Sequence, residues 1–204
     1  MPAGEGSGDY GNAKVLWDDL IKRKNEVKMT FLETERLILR NVKSEDATII
    51  HDYRNNEVCA KYQRGQTKDF DGIVDLVEQR KSDIVGVDAS FMVAVALKDT
   101  DEMVGEVVVM PEDGTISLGY TFSYRHHRKG YAYESLSALI SMLHERYPGW
   151  DFISFTEPEN VPSINLLMKL GYNNMGFIPH MESLVFGKWT SPATEKEIAD
   201  VIEK

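Results

Sequence analysis

The chain has 204 residues, a formal net charge of −10 from 23 Lys and Arg against 33 Asp and Glu, and 42 % apolar residues. That length suits one domain, or one domain with an appendage, and the apolar share builds a real core, which excludes wholesale disorder. So acidic a chain is a poor general binder of DNA, RNA or anionic membranes, because phosphate recognition needs a basic face; cationic partners such as amines or basic peptides are favoured.

Residues 1–12 are rich in Gly, Ser and Pro and are expected to be flexible, and residues 13–27 carry a partial helical stripe of Val15, Leu16, Leu20 and Ile21. From Thr30 the run TFLETERLILRNV alternates as a first strand. Ser44 is the expected N-cap of a helix reaching about Arg54, with Ala47 near the end of its first turn. Residues 70–83 read as a second helix that buries Ile73, Val74, Leu76 and Val77. Strands are expected at 89–97, 103–110 and 115–122, the last two joined at the hairpin signal Asp113-Gly114. Residues 131–146 form a strong helix with Leu136, Leu139, Ile140 and Leu143 on one face, ended by Pro148 and Gly149. A short buried strand at 151–156, with Phe152 and Phe155 in the core, precedes a helix at 161–170 closed by Gly171. Strands at 172–178 and 183–189 and a short helix from Thr194 complete the chain. This order reads as an α+β domain of three layers around one central sheet. Residues 29–190 form that domain, with 1–28 as an extension and 191–204 as a tail.

The charge is uneven. Residues 1–28 hold five acids (Glu5, Asp9, Asp18, Asp19, Glu26) and five bases (Lys14, Lys22, Arg23, Lys24, Lys28), so the whole −10 falls on residues 29–204. Inside that acidic body lies one basic knot, Arg125-His126-His127-Arg128-Lys129, between a strand and Gly130 at the start of a helix. A loop at a helix N-terminus presents unpaired N–H groups and the positive end of the helix dipole, a site suited to phosphate. Gly130 allows close backbone approach, Ala132 keeps a nearby position small, and Arg128 and Lys129 add charge. Neither GxxxxGK[ST] nor GxGxxG is present. A solvated basic turn capping a helix is the plain alternative.

Three stretches together resemble the GNAT N-acetyltransferase superfamily, and within it the RimJ/RimL-like branch: LETERLILR at 32–40, YTFSYRHHRKGYAYES at 120–135 and PENVPSINLLMKLGY at 158–172. The resemblance covers about residues 30–190. It implies a three-layer α/β/α fold whose mixed, largely antiparallel sheet is splayed where acetyl-CoA binds. It implies that the strand ending at Phe122 pairs its backbone with the pantetheine arm. The amides of Arg128, Lys129, Gly130, Tyr131 and Ala132 would cradle the pyrophosphate, with His127 at the loop's first position, where the family usually has Gln or Arg. Asn160 would bind pantetheine. Leu167 stands where many members carry a proton-returning Tyr, and Ser163 matches the serine proposed as the acid in the RimL-like branch. Asn160-Val161-Pro162-Ser163 also reads as an ordinary N-cap followed by a first-turn proline.

The implied reaction moves an acetyl group from acetyl-CoA to a primary amine, a protein N-terminus or a small amine, by direct attack in a ternary complex. It needs a proton acceptor. Glu106 lies in a run of valines, where alternation would turn it to solvent; Glu157 follows the strand at 151–156; His180 lies between the final strands; Tyr120 reads as core packing. A CoA-binding regulatory module without catalysis is the alternative that the vacancy at Leu167 leaves open. The single cysteine, Cys59, excludes an intrachain disulfide framework and has no neighbour in sequence that would activate it. The five histidines contain no HxxxH pair, so no metal is expected. No apolar run approaches the roughly 18 residues of a membrane helix. MPAGEGSGDYGNAK lacks a secretory pattern. A cytoplasmic protein, monomer or homodimer, without a nucleic-acid or membrane partner is expected.

Overall fold

The run beginning at Thr30 is not one strand. Thr34 donates its N–H to the Leu37 carbonyl (2.9 Å), and its hydroxyl accepts from the Leu37 amide (3.0 Å). This turn divides the run into a hairpin, β1 (Thr30–Glu33) and β2 (Leu37–Arg40). The computed structural model describes residues 30–202, so the extension at 1–28, with the helix expected at 13–27, lies outside the described residues.

After β2 a 3-10 turn (Ser44–Asp46) leads into α1 (Ala47–Asn55). Ser44 is not the cap: its hydroxyl donates to Glu78, while Asp46 reaches back to accept from the Lys43 amide (2.9 Å). A one-turn helix unannounced by periodicity, α2 (Glu57–Ala60), is capped by Asn56, and α3 runs Phe70–Arg80 under an Asp69 cap. Three strands then meander: β3 (Phe91–Leu97), β4 (Met103–Glu112) and β5 (Thr115–Phe122). The β4–β5 turn uses Asp113 and Gly114 at φ 44° and 81°, as a two-residue hairpin requires. Next come α4 (Tyr131–Arg146), β6 (Asp151–Thr156), α5 (Val161–Lys169), β7 (Asn173–Ile178), β8 (Ser183–Lys188) and α6 (Pro192–Ile202).

The eight strands make one sheet in the order β1-β2-β3-β4-β5-β6-β8-β7. Every neighbouring pair is antiparallel except β5 and β6, which α4 connects in parallel. The stripe Leu136, Leu139, Ile140 and Leu143 of α4 is fully buried and packs, with Leu167 and Leu170 from α5, on one sheet face against Val93, Val107, Val109 and Ile116. The other face carries α1 to α3 through Ile50, Tyr53, Ile73 and Val77, packed on Met92, Ala94 and Met103. These are the three layers the element order implies. Two side chains depart from expectation: Val74 of α3 is exposed, and so is Phe155, which lines a cleft. No helix among the described residues is long and apolar enough to cross a membrane.

The register of β3 against β4 shifts by one residue between Val95 and Ala96, a bulge next to Gly105. A Cβ at Gly105 would lie 2.5 Å from the Phe122 ring and 2.7 Å from the Thr121 carbonyl oxygen. Because one obstacle is backbone, Gly105→Ala is expected to destabilise the protein by about 2 kcal/mol through overpacking. A fall in the urea unfolding midpoint at unchanged m-value checks it; an unchanged midpoint would show that β5 yields freely.

Candidate functional site

Strands β5 and β6 pair only at Thr115–Asp151, Ile116–Phe152 and Ser117–Ile153. Beyond that point β5 stays paired to β4 as far as Phe122, and β6 to β8 as far as Thr156. The two halves of the sheet therefore remain intact while the seam between them opens. A cleft of about 220 Å³ fills the opening, lined by Leu118, Gly119 and Tyr120 on one side and Ser154, Phe155 and Thr156 on the other. That is less than the roughly 300–1,000 Å³ of a pocket enclosing a whole small ligand, so it suits one end of an extended molecule.

The free edge of β5 is not bare. The Tyr120 carbonyl accepts from Gln63 Nε2 (3.0 Å). The Phe122 carbonyl accepts from Cys59 Sγ (3.3 Å) and from His127 Nε2 (2.9 Å), which places a proton on that ring nitrogen. Residues 62–66, between α2 and α3, form a strap over the seam: the Tyr62 hydroxyl donates to the Glu159 carbonyl (2.9 Å), Arg64 pairs with Glu157 (2.7 Å), and Gln66 donates to the Thr121 hydroxyl (3.0 Å). Burial raises the Cys59 thiol above its ordinary value, which leaves it a poor nucleophile.

Beyond Phe122 the chain turns through Tyr124–His126 and enters α4. Arg128 and Gly130 have φ of 62° and 84°, and no side chain caps the helix. Among the described residues, no turn, cap or side-chain hydrogen bond takes up the amides of Arg128, Lys129, Gly130, Tyr131 or Ala132. The result is an exposed group of N–H donors at the positive end of a 16-residue helix. The basic knot divides here. Arg125 is drawn away to Asp52 (3.2 Å) and stacks on Tyr124, whereas Arg128 and Lys129 stay exposed beside the amides.

A clamp that sequence reasoning missed holds this loop. Arg36, in the β1–β2 turn, donates to the Lys129 carbonyl (3.1 Å), stacks on the Tyr131 ring and pairs with Glu134 (2.6 Å). Glu134 also accepts from the Thr34 hydroxyl (2.6 Å) and the Arg36 amide (2.9 Å). Both residues stand inside motifs quoted above, but their partnership spans 98 positions and leaves no local signal.

Of the remaining candidates, Asn160, Ser163 and Glu157 meet in the cleft, with Tyr120. Asn160 is the N-cap of α5, its Oδ1 accepting from the Ser163 amide (3.2 Å). The Ser163 hydroxyl lies 2.8 Å from that of Tyr120, so Tyr120 faces the cleft as well as the core. Leu167 is buried and brings no polar group. His180 is exposed in a 3-10 turn. Glu106 corrects the expectation of a solvent-facing side chain: it is 1 % exposed and pairs with buried Arg54 (2.7 Å). Alternation with Val107 and Val109, and its pairing beside Ala94, direct it under α1, on the other sheet face. Burial raises its carboxyl above the ordinary range, opposed by Arg54.

A sequence profile of the acetyltransferase (GNAT) domain matches residues 36–173, well over half of the chain. The chain belongs to the GNAT acetyltransferase family. It is 29 % identical over 158 residues to an uncharacterized N-acetyltransferase, p20, of Bacillus licheniformis, covering 76 % of this chain and 88 % of that protein. Its fold is that of a putative ribosomal-protein-serine acetyltransferase from Vibrio cholerae (TM-score 0.66, 22 % identity, 80 % of this chain and 97 % of that one). It is likewise that of RimL, a ribosomal L7/L12 alpha-N-protein acetyltransferase solved with coenzyme A (TM-score 0.67, 13 % identity, 78 % and 97 %). These neighbours share the fold that the motif resemblance implies.

Burial pushes the Glu134 carboxyl up, but hydrogen bonds from Thr34 and Arg36 outweigh it and hold the group below its ordinary value of 4.5. The unfolded chain therefore binds that proton more readily than the folded one. The clamp's stabilisation is present above 4.5 and is lost as pH falls through the lowered folded value. Glu134→Gln is expected to flatten this part of the acid limb of stability. Urea unfolding midpoints of both proteins across that window test it, and parallel curves would refute it.

Proposed function

We propose that this GNAT protein transfers an acetyl group from acetyl-CoA to a primary amine by direct attack in a ternary complex. The observation that carries the proposal is the continuity of two features: the free edge of β5 from Leu118 to Phe122, and the uncapped N-terminus of α4 eight residues beyond it. An extended edge accepts a ligand lying as an added strand. An uncapped helix end accepts a phosphorylated group. Acetyl-CoA is a long molecule that needs both, and Gly130 in the left-handed region leaves the approach to the amides open. The solved neighbour RimL holds coenzyme A.

In this reading the amides of Arg128 to Ala132 hold the pyrophosphate, with Arg128 and Lys129 adding charge and His127 fixing the loop against Phe122. Strand β5 near Tyr120 and Phe122, together with Asn160, holds the pantetheine arm. The strap side chain Gln63 must give up the Tyr120 carbonyl as that arm enters. When bound, acetyl-CoA supplies an acyl group activated as a thioester. Ser163, in the cleft, donates a proton toward the departing sulfur. Glu157 borders the same cleft and receives the amine's proton through water, Arg64 being exposed and free to swing away. Glu106 serves differently: it anchors Arg54, which in turn donates to the Thr67 carbonyl and holds the strap (3.2 Å). The acidic balance of residues 29–204 favours an acceptor that arrives as a cation, a protein N-terminus or a small amine.

Calorimetric titration with acetyl-CoA, followed by a thiol-release assay over a panel of amines and N-terminal peptides, tests this reading. Tight binding with no release on any acceptor would instead favour a regulatory CoA-binding module. Gly130→Asp places a carboxylate among the amides while straining the backbone by only about 1–2 kcal/mol. It is expected to weaken acetyl-CoA at least 100-fold with the fold retained by circular dichroism. Undiminished affinity would remove the phosphate site from the α4 N-terminus.

A further inference from the structure

The cleft gathers hydroxyls from both banks of the seam. Tyr120 of β5 and Ser163 of α5 touch at 2.8 Å. Beside them lie Ser154 of β6 and Tyr172, which follows α5; each is 3 % exposed, and a hydrogen bond with Ser154 opposes the rise that burial imposes on the Tyr172 phenol. Two hydroxyl couples therefore lie side by side, Tyr120 with Ser163 and Tyr172 with Ser154, and coupled buried hydroxyls polarise one another. Leu167, one helical turn beyond Ser163, is 2 % exposed and brings no polar group. Helix α5 thus brings no phenol to its own serine, and the strand on the opposite bank does.

A lone serine hydroxyl is a weak acid for a thiolate. A phenol, with an ordinary value of about 10, is far better matched to a thiol near 8.5. Resting on the acetyl-transfer reading above, we propose that Tyr120 supplies, through Ser163, the proton that the departing sulfur takes up. Ser163 is the group that touches the sulfur, and Tyr120 is its positioning and proton-supplying partner. As the bond from acceptor nitrogen to carbonyl carbon forms, the carbon–sulfur bond breaks and its electron pair passes to sulfur. Ser163 Oγ gives its proton to that sulfur and takes one from Tyr120 Oη. The nitrogen's proton passes through water to Glu157 and on to solvent, and the phenolate recovers one from water, so both hydroxyls end as they began. Ser154 and Tyr172 complete the wall behind the pair.

Burial holds the Tyr120 phenol above its ordinary value while the Ser163 hydrogen bond lowers it, so in the intact enzyme the phenol stays protonated throughout the neutral range. Two measurements on the full chain separate this proposal from the activity it rests on. The first needs no turnover: the thiol of bound CoA is titrated by thiolate absorbance. Tyr120→Phe and Ser163→Ala should each raise its midpoint by about one pH unit, a tenfold loss in thiolate stabilisation, and the double variant should raise it no further. An unmoved midpoint in both single variants overturns the relay. Failure of the wild-type chain to bind CoA overturns the acetyl-transfer reading and the relay with it. The second is kinetic. Tyr120→Phe should lower kcat about 100-fold with little change in the KM for acetyl-CoA. A fluorinated tyrosine at position 120, whose phenol is more acidic, should restore most of kcat and bring its basic limb to lower pH. A packing role for Tyr120 predicts neither restoration nor movement of that limb, and a basic limb unaltered by fluorination overturns the proposal.

Discussion

The parallel pairing of β5 and β6 ends after three residue pairs, and the working parts of the molecule follow from that divergence. Each strand keeps its outer partner along its length, β4 for β5 and β8 for β6, so the seam opens without breaking either half of the sheet. A free strand edge inside a protein leaves backbone groups without partners, which is costly unless something else bonds them. Here side chains of Gln63, Cys59 and His127 take the carbonyls of Tyr120 and Phe122. Gln63 of the strap, Cys59 of α2 and His127 of the loop after β5 thus provide the hydrogen bonds that a missing strand would provide, and do so with groups that an extended ligand can exchange one for one.

Position matters as much as charge at the neighbouring helix end. The chain is acidic overall, yet a phosphate site needs only local complementarity, and the α4 N-terminus supplies most of it from backbone. The five-residue basic knot is less uniform than its letters suggest. Arg125 is tied to Asp52, and Lys129 leans on His126, whereas the loop backbone is held from outside by Arg36. Arg36 is itself oriented by Glu134, an acidic residue in the first turn of α4, where the dipole favours it. The loop before α4 is therefore pinned to the β1–β2 turn rather than left to its own propensity.

Two buried arginines organise the opposite face. Arg40, 2 % exposed, joins Asp46 (2.7 Å) and Asp101 (2.8 Å), locking the 3-10 entry of α1 to the β3–β4 turn. Arg54 joins Glu106 and holds the strap at Thr67. Removing one partner of such a pair strands a charge and is usually more damaging than replacing both. That gives a structural reason for a carboxylate amid the valines of β4, and it separates Glu106 from the cleft where Ser163, Glu157 and Tyr120 meet.

Much of this was legible in the letters. The α4 helix matched its predicted bounds at both ends, because a four-leucine/isoleucine stripe and the Gly130 and Pro148 boundaries are local facts. The Asp113-Gly114 hairpin, the Asn160 cap and the Gly171 stop, with φ of 85°, were equally readable from backbone chemistry. The family motifs pointed to the loop before α4, which carries the phosphate site proposed above. The expectation erred at Glu106, since alternation does turn it away from Val107 and Val109, but a helix 52 positions away covers that face. It erred at Phe155, which the open seam leaves half exposed, and at the β1–β2 turn, where the Thr34 side chain ends the strand. The sequence by itself determined most of the segments that are helix or strand, because those depend on periodicity, caps and glycines within a few residues. Only the tertiary structure decided that Tyr120 meets Ser163, that Arg36 clamps the loop and that Gln63 covers the free edge. Those contacts join residues 43 to 93 positions apart, and a pairing at that distance is set by how layers pack, which no local pattern records.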